Sequence, residues 1–381
     1  MAEIKNLKKA AQRIKKAVKA KETIILYGDA DLDGTSAVVI LKETIKNLGW
    51  KVSTIYFPDR EKEGYGINKD ALGILKKRAP ALLIALDCGI SNFDEIELAK
   101  KLGFEVIVID HHKVIDKLPL ADIIVDPKQK DDPYPFKGLA TAGIVFKLTQ
   151  TLLGEEFSES LRKNFLELVA LATLADLMPK EADNQIFIEE GLSFLKNTWR
   201  PGLRAFLESD FLAGISDFNQ KVSKIISIMN VRDVKDNLPA SFRLLTFSSL
   251  EDSQELIKKL VKKNQGRKKK IEEIVFRIEE RQKDDTIIFE GDTELEFALI
   301  SSVASILCNR YKKPVFIYKK LEKESQGTVR TQKGLDSVVL MKNCAKYLMS
   351  YGGHPQASGF RLKNDNLEKF KECLIKNLKK K

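Results

Sequence analysis

Cysteine, histidine and tryptophan are scarce in this 381-residue chain, which has four, three and two of them respectively. The cysteines, Cys88, Cys308, Cys344 and Cys373, lie far apart and include no C-x-x-C pair. That spacing argues against a zinc ribbon and against a disulfide framework, and it predicts free thiols in a reducing cytoplasm. No apolar run reaches the ~20 residues a membrane helix needs, and residues 1–20 are Lys-rich and amphipathic, unlike a signal peptide. A membrane partner is therefore not expected. No internal repeat is visible either. Charge, by contrast, is plentiful: 31% of the residues are charged and the net charge is +11. That excess suits a polyanionic partner, although a Lys-rich composition alone gives the same number. With 43% hydrophobic residues the chain is globular, and its length calls for two domains.

Apolar runs at Thr23–Tyr27, Val52–Phe57, Leu82–Leu86 and Val106–Ile109 alternate with helical periodicity at Ser36–Leu48, Asn68–Arg78 and Asn92–Leu102. This alternation predicts βαβ units and a parallel sheet, hence an α/β fold. From Ala140 to about Leu207 the pattern is helical, and Glu251–Lys283 forms one long charged helical stretch containing a basic run at 262–270. Such a run is either a solvated face or an arm along nucleic acid. Thr286–Phe289, Pro314–Lys319 and Gly359–Leu362 then read as strands, with helices at Ala298–Tyr311 and Leu367–Leu378, giving a second and smaller α/β domain.

Three of the early strands run into acids or imidazoles: Gly28-Asp29-Ala30-Asp31-Leu32-Asp33-Gly34, Asp87-Cys88-Gly89, and Asp110-His111-His112. In a parallel sheet these carboxyl ends open into one crevice. Aspartates gathered there repel one another and are costly to bury unpaired, and a bound cation removes that cost. Oxygen ligands with an imidazole and no thiolate suit Mn²⁺ or Mg²⁺ better than zinc. Asp31 and Asp33 could serve neighbouring ions and Asp87 could bridge them. A pair ~3.5–4 Å apart would activate water and clamp a phosphoryl oxygen. Each acid also has a plainer reading. Asp29, Asp31 or Asp33 could cap the helix before which it stands. An EF-hand loop is a poor match, because Ile40 occupies the position of its distal Glu. Adjacent histidines cannot share one strand face, so one could ligate metal while the other meets substrate. Asp176, on an otherwise apolar helical stretch ended by Pro179, needs a cap or a metal as partner.

In this order, Asp31-x-Asp33-Gly34, Asp87, Asp110-His111-His112 and Asp176 resemble the signature motifs of the DHH phosphoesterase superfamily. Within it the chain is most similar to the RecJ group of single-strand-specific exonucleases. Pro58-Asp59-Arg60, Glu63-Gly64-Tyr65-Gly66, Asp126-Pro127-Lys128, and Asn264 with Arg267 support the likeness. Gly327-Thr328-Val329-Arg330-Thr331 and Gly352-Gly353-His354 resemble the elements of a DHH-associated (DHHA) domain. The resemblance implies a DHH domain at 1–210, a helical connector at 211–285 and a DHHA substrate-binding domain at 286–381. It implies metal ligation by Asp29, Asp31, Asp33, Asp87, His111 and Asp176. Asp110 would orient a histidine, His112 would contact the scissile phosphate, and Arg330, Thr331, Gly352, Gly353 and His354 would hold the substrate backbone. Arg offers bidentate donors to phosphate, and the glycines let backbone approach an anion. The implied activity is exonuclease cleavage of single-stranded nucleic acid, DNA before RNA, to nucleoside monophosphates, with two Mn²⁺ or Mg²⁺ ions and replication or repair proteins as partners. The alternatives are an oligoribonuclease or cyclic-dinucleotide phosphodiesterase, and an inactive replication scaffold. Two departures bear on substrate choice. The usual Asn-Ala-Ala-Gly-Arg element reads Met229-Asn230-Val231-Arg232-Asp233, and no OB-fold, a grip for single strands, follows the DHHA-like region.

Overall fold

The computed structural model describes residues 3–60, 62–114, 117–281 and 285–378. It divides into two compact units, Met1–Val261 and Lys262–Lys381. In the first, five parallel strands, β1 (Ile24–Gly28), β2 (Thr54–Tyr56), β3 (Ala81–Leu86), β4 (Phe104–Ile109) and β5 (Ile123–Val125), lie in the order β2-β1-β3-β4-β5. Their interior residues are apolar on both faces because both faces are covered by helices. Ile24, Leu26, Leu82, Ile84 and Ile107 face one core with the helices Leu7–Lys19, Leu32–Asn47, Thr141–Leu153 and Glu159–Ala175. Ile25, Tyr27, Leu83, Ala85 and Val106 face the other with Lys69–Leu75 and Phe93–Lys101. The chain leaves β1 towards β2 on one side and continues to β3 on the other, so the switch point of the sheet falls between β1 and β3. A short hairpin, β6 (Val234–Lys235) with β7 (Leu238–Pro239), lies outside this sheet.

The second unit is a mixed sheet of β8 (Ile288–Asp292), β9 (Val315–Lys320), β10 (Glu324–Arg330), β11 (Ser350–His354) and β12 (Ala357–Lys363), ordered β11-β12-β10-β9-β8. Only β8 and β9 run parallel; the other neighbours are antiparallel. Helices Phe297–Tyr311 and Leu367–Leu378 cover its two faces. The long charged stretch is the single helix Leu250–Arg281, and its C-terminal turns bury Ile271, Ile274, Val275 and Ile278 in the second unit.

The expected α/β class with a parallel first sheet and a second α/β region is what the structure contains. β5, β10 and β11, like the two-residue strands β6 and β7, go beyond the expected strands. β5 is a three-residue run, and β10 (ESQGTVR) and β11 (SYGGH) lack the apolar run by which the others are recognised. One expectation is corrected: Cys344 and Cys373 form a disulfide, with Cα atoms 6.0 Å apart. Residues 29 apart in sequence meet because the helix Leu367–Leu378 packs back beside the helix Ser337–Lys342, which spacing alone does not reveal. Cys88 and Cys308 are buried free thiols. Among the described residues no helix is long and apolar enough to cross a membrane.

Candidate metal centre

The carboxyl ends of β1, β3, β4 and β5 are followed directly by Asp29, Asp87, Asp110 and Asp126, all buried. Between Asp29 and the helix Leu32–Asn47 the chain turns tightly. A side chain at Gly34 would place its Cβ 2.4 Å from the Asp29 carbonyl oxygen, so only glycine fits there. Asp31 caps this helix, its Oδ1 accepting from the Asp33 and Gly34 N–H groups at 3.1 Å. The capping reading of Asp31 thus holds alongside its place in the crevice, since Oδ2 still faces Arg60 at 2.9 Å. Asp33 receives the N-terminus of the helix Thr141–Leu153, accepting from Thr141 N (2.7 Å) and Ala142 N (2.8 Å). The partial positive charge of a helix start suits a carboxylate there. Burial nonetheless dominates, helped by Asp31, and pushes Asp33 up to about 8. Asp87 adopts a left-handed backbone (φ 62°) and accepts from Thr141 Oγ1 at 3.0 Å. Burial, then Asp33 and Asp31, raise its pKa well above the ordinary range.

The two histidines part company. His111 points inward, its Nε2 3.3 Å from Asp87 Oδ1, 3.3 Å from Asp176 Oδ2 and 3.9 Å from Asp33 Oδ2. Burial, then the neighbouring His112, lower its pKa to about 3, so the ring is neutral and able to ligate. Both its nitrogens are buried with no hydrogen-bond partner among the described residues. His112 is half-exposed, its Nδ1 2.7 Å from Asp110 Oδ1. Asp110 also accepts from the N–H groups of Ile90, His111 and His112. Burial works to raise the pKa of Asp110, but His112 and these donors outweigh it and the pKa falls. The same contact holds His112 charged to higher pH, against the desolvation that opposes it. Asp176 ends the helix Glu159–Ala175, and burial followed by Asp31 raises it to about 6.

Asp29, Asp31, Asp33, Asp87, His111, His112 and Asp176 therefore converge, with Asp110 behind His112. They form three overlapping groups, in each of which the ligand atoms lie within 4.8 Å of one another: Asp87–His111–His112, Asp33–His111–Asp176 and Asp29–Asp31–Asp87. The donor set fits a hard divalent cation. It consists of carboxylate oxygens and a neutral imidazole, it strands two buried nitrogens, and without a cation its most buried acids retain protons. Arg60 and Tyr65 of the supporting motifs also contribute, as does Thr141, which the sequence did not single out. Arg60 pairs with Asp29 and Asp31, Thr141 supports Asp33 and Asp87, and the Tyr65 hydroxyl donates to the Asp87 carbonyl (3.0 Å) beside the His112 ring. A cavity of about 410 Å³ adjoins the acids, lined by Asp31, Arg60, Asn230, Arg232 and Ser241 among others. It contains the altered Met229–Asp233 element, with Arg232 paired to Asp59.

In the second unit, Arg330 ends β10 and Thr331 follows it, its amide donating to the Gln356 carbonyl and its hydroxyl facing the Leu335 and Pro355 carbonyls. Gly352 and Gly353 lie in β11 opposite Gly359 and Ser358, and His354 pairs with Ala357. A Cβ at Gly353 (φ 128°) would come within 2.7 Å of the Ala357 carbonyl oxygen, so close strand approach requires glycine there.

Residues 23–173 match the DHH family N-terminal domain, and residues 284–380 match the DHHA1 domain. The chain thus carries a DHH N-terminal domain and a DHHA1 domain, and along nearly its whole length it is similar to RecJ exonucleases. It is 34% identical over 376 residues to the single-stranded-DNA-specific exonuclease RecJ of Bacillus subtilis, covering 96% of this chain and 47% of that protein. It is 28% identical to RecJ of Thermus thermophilus, covering 94% of this chain and 52% of that protein. The chain thus spans about half the length of these relatives. A crystal structure of exonuclease RecJ bound to manganese superposes with a TM-score of 0.82 at 26% identity, covering 98% of this chain and 94% of that one.

Proposed function

We propose that the protein is an exonuclease that hydrolyses phosphodiester bonds of single-stranded DNA, releasing nucleoside monophosphates, and depends on two Mn²⁺ or Mg²⁺ ions. The observation that carries this reading is His111. A buried neutral imidazole whose Nε2 sits 3.3 Å from both Asp87 and Asp176, with no hydrogen bond among the described residues satisfying it, is placed to be taken up by a cation. Asp29, Asp31, Asp33, Asp87, His111 and Asp176 would hold the ions, with Asp87, a member of two of the groups, able to serve both. Such ions, when bound, lower the pKa of water and neutralise phosphoryl charge.

The remaining roles belong to the protein. Asp110 engages Nδ1 of His112 and fixes the ring, leaving Nε2 to present a proton to a phosphate oxygen. Against burial, His112 and the backbone N–H groups favour the ionised form of Asp110, which in turn favours the charged form of the histidine. Arg60 brings positive charge to the crevice mouth, and Tyr65 holds His112 from its other side. In this reading residues 1–210 carry the chemistry and 211–285 connect. Residues 286–381 grip the strand through Arg330, Thr331, Gly352, Gly353 and His354. DNA is favoured over RNA because the curated RecJ relatives are single-stranded-DNA-specific; a place in replication or repair is proposed on that substrate alone.

The test is incubation of end-labelled single-stranded DNA and RNA with the protein in Mn²⁺, Mg²⁺ or chelator. Stepwise shortening of DNA with either metal, absent in chelator and absent in Asp87→Ala, is the expected result. Cleavage that persists in chelator or in Asp87→Ala would refute the metal-centred reading.

A further inference from the structure

The second unit treats its arginines in two ways. Arg310 and Arg361 are each ion-paired with a glutamate, Glu279 and Glu324. Arg330, half-buried at the end of β10, is held by hydroxyls and a carbonyl instead. Its Nε donates to Ser305 Oγ (3.2 Å), its Nη1 to Thr328 Oγ1 (3.0 Å) and the Val329 carbonyl (2.8 Å), and its Nη2 to Ser301 Oγ. No carboxylate pairs with it among the described residues. A guanidinium has five N–H groups, so these contacts leave one, on Nη2, beside Ser301. Burial opposes its charge, and no carboxylate among the described residues offsets the cost.

The hydroxyl hydrogens can be assigned in the same way. Ser305 donates to the Ser301 carbonyl (2.9 Å) and Thr328 to the Ser358 carbonyl (3.3 Å). Thr331 spends its hydrogen on the Leu335 or Pro355 carbonyl. Ser301 alone in this group accepts from Arg330 and has no acceptor for its own hydrogen among the described residues. Both free donors, Ser301 O–H and Arg330 Nη2–H, therefore sit side by side on partly exposed groups. On the same helix, the adjacent Ser302 and, one turn back, the Ala298 carbonyl hold a second guanidinium, Arg267, at 3.2 Å each.

We infer that Ser301 and Arg330 form a paired donor site for one phosphodiester group, with Ser301 supplying the hydroxyl donor and Arg330 the charge. Ser305 and Thr328 are positioning residues that aim the guanidinium without neutralising it. The inference rests on the proposed reading that the ligand is a nucleic-acid strand, and its test separates the two. The full chain is held in chelator, and binding of a fluorescein-labelled single-stranded oligodeoxynucleotide is followed by anisotropy over a range of NaCl concentrations. Ser301→Ala should weaken binding about fivefold, the value of one hydrogen bond, without changing the slope of log affinity on log salt. Arg330→Ala should weaken it more and reduce that slope by about one. Ser301→Thr, which keeps the hydroxyl, should bind as the parent does. Parental affinity in Ser301→Ala, or equal loss in Ser301→Thr, would overturn the assignment. A parent that binds, with the expected pattern of variants, but never cleaves in Mn²⁺ would overturn the nuclease reading and leave the phosphate site standing.

Discussion

Asp33 and Asp87 are buried against each other and raised far above the ordinary carboxylate range, while Arg60 pairs instead with Asp29 and Asp31. For an acid whose folded pKa is raised, stability is full below its ordinary value, here 3.8, and is lost as pH climbs towards and through about 8. The metal-free protein should accordingly unfold at progressively lower temperature between pH 5 and pH 8 (about the window set by those two values). Mn²⁺ should reverse the trend by replacing the protons. Asp87→Asn removes one ionisable member and keeps an oxygen for Thr141, so it should raise the metal-free melting temperature at pH 8 by a few degrees while abolishing cleavage. Opposite effects on stability and activity are the pattern expected where charges are held together for function. Differential scanning calorimetry with and without chelator reads the first effect, and a melting temperature unchanged by Asp87→Asn would contradict the repulsion. At this scale the sequence was informative wherever a strand ran into an acid. It was silent on Thr141 and Ser301, because a hydroxyl that meets a site from a distant segment leaves no local pattern.

Elements decide whether those side chains stay aimed. Asp176 reaches His111 only because the helix Glu159–Ala175 is pinned along its length by Ala182–Leu195. At their crossing Gly191 lies so close that a Cβ would fall 2.2 Å from the Leu166 carbonyl oxygen and 2.6 Å from the Ala170 side chain. Backbone cannot yield there as a flexible side chain could. Gly191→Ala should cost roughly 1–3 kcal/mol, the usual penalty of overpacking, seen as a lower urea midpoint. It should also reduce cleavage by shifting Asp176, whereas a surface change such as Gln185→Ala should do neither. The helices themselves were legible as apolar stripes. The close crossing was not, because an isolated glycine in a helical stretch reads simply as a weak point until its neighbour is placed.

On the scale of the whole molecule, the two units have separate cores: one set of clusters ends at Leu260 and the other begins at Ile271. Each unit should then melt as its own cooperative transition. Their stabilising extras are also segregated, the acidic centre lying in the first unit and the Cys344–Cys373 disulfide in the second. The acidic motifs made the first of these readable in advance. The disulfide was hidden because pairing depends on how the last helix docks, not on spacing. On the proposed reading Mn²⁺ would bind only the folded centre, so at ~100 times its dissociation constant it should raise the stability of one transition by ~2.7 kcal/mol. A reductant should lower the other by about 3–4 kcal/mol, the loop-closure value for 29 residues. Calorimetry on the full chain, with each additive alone and then both, checks the assignment. Two transitions that shift independently are expected. A single transition moved by both additives would show that the units unfold as one, and would transfer part of the disulfide's stabilisation to the metal centre.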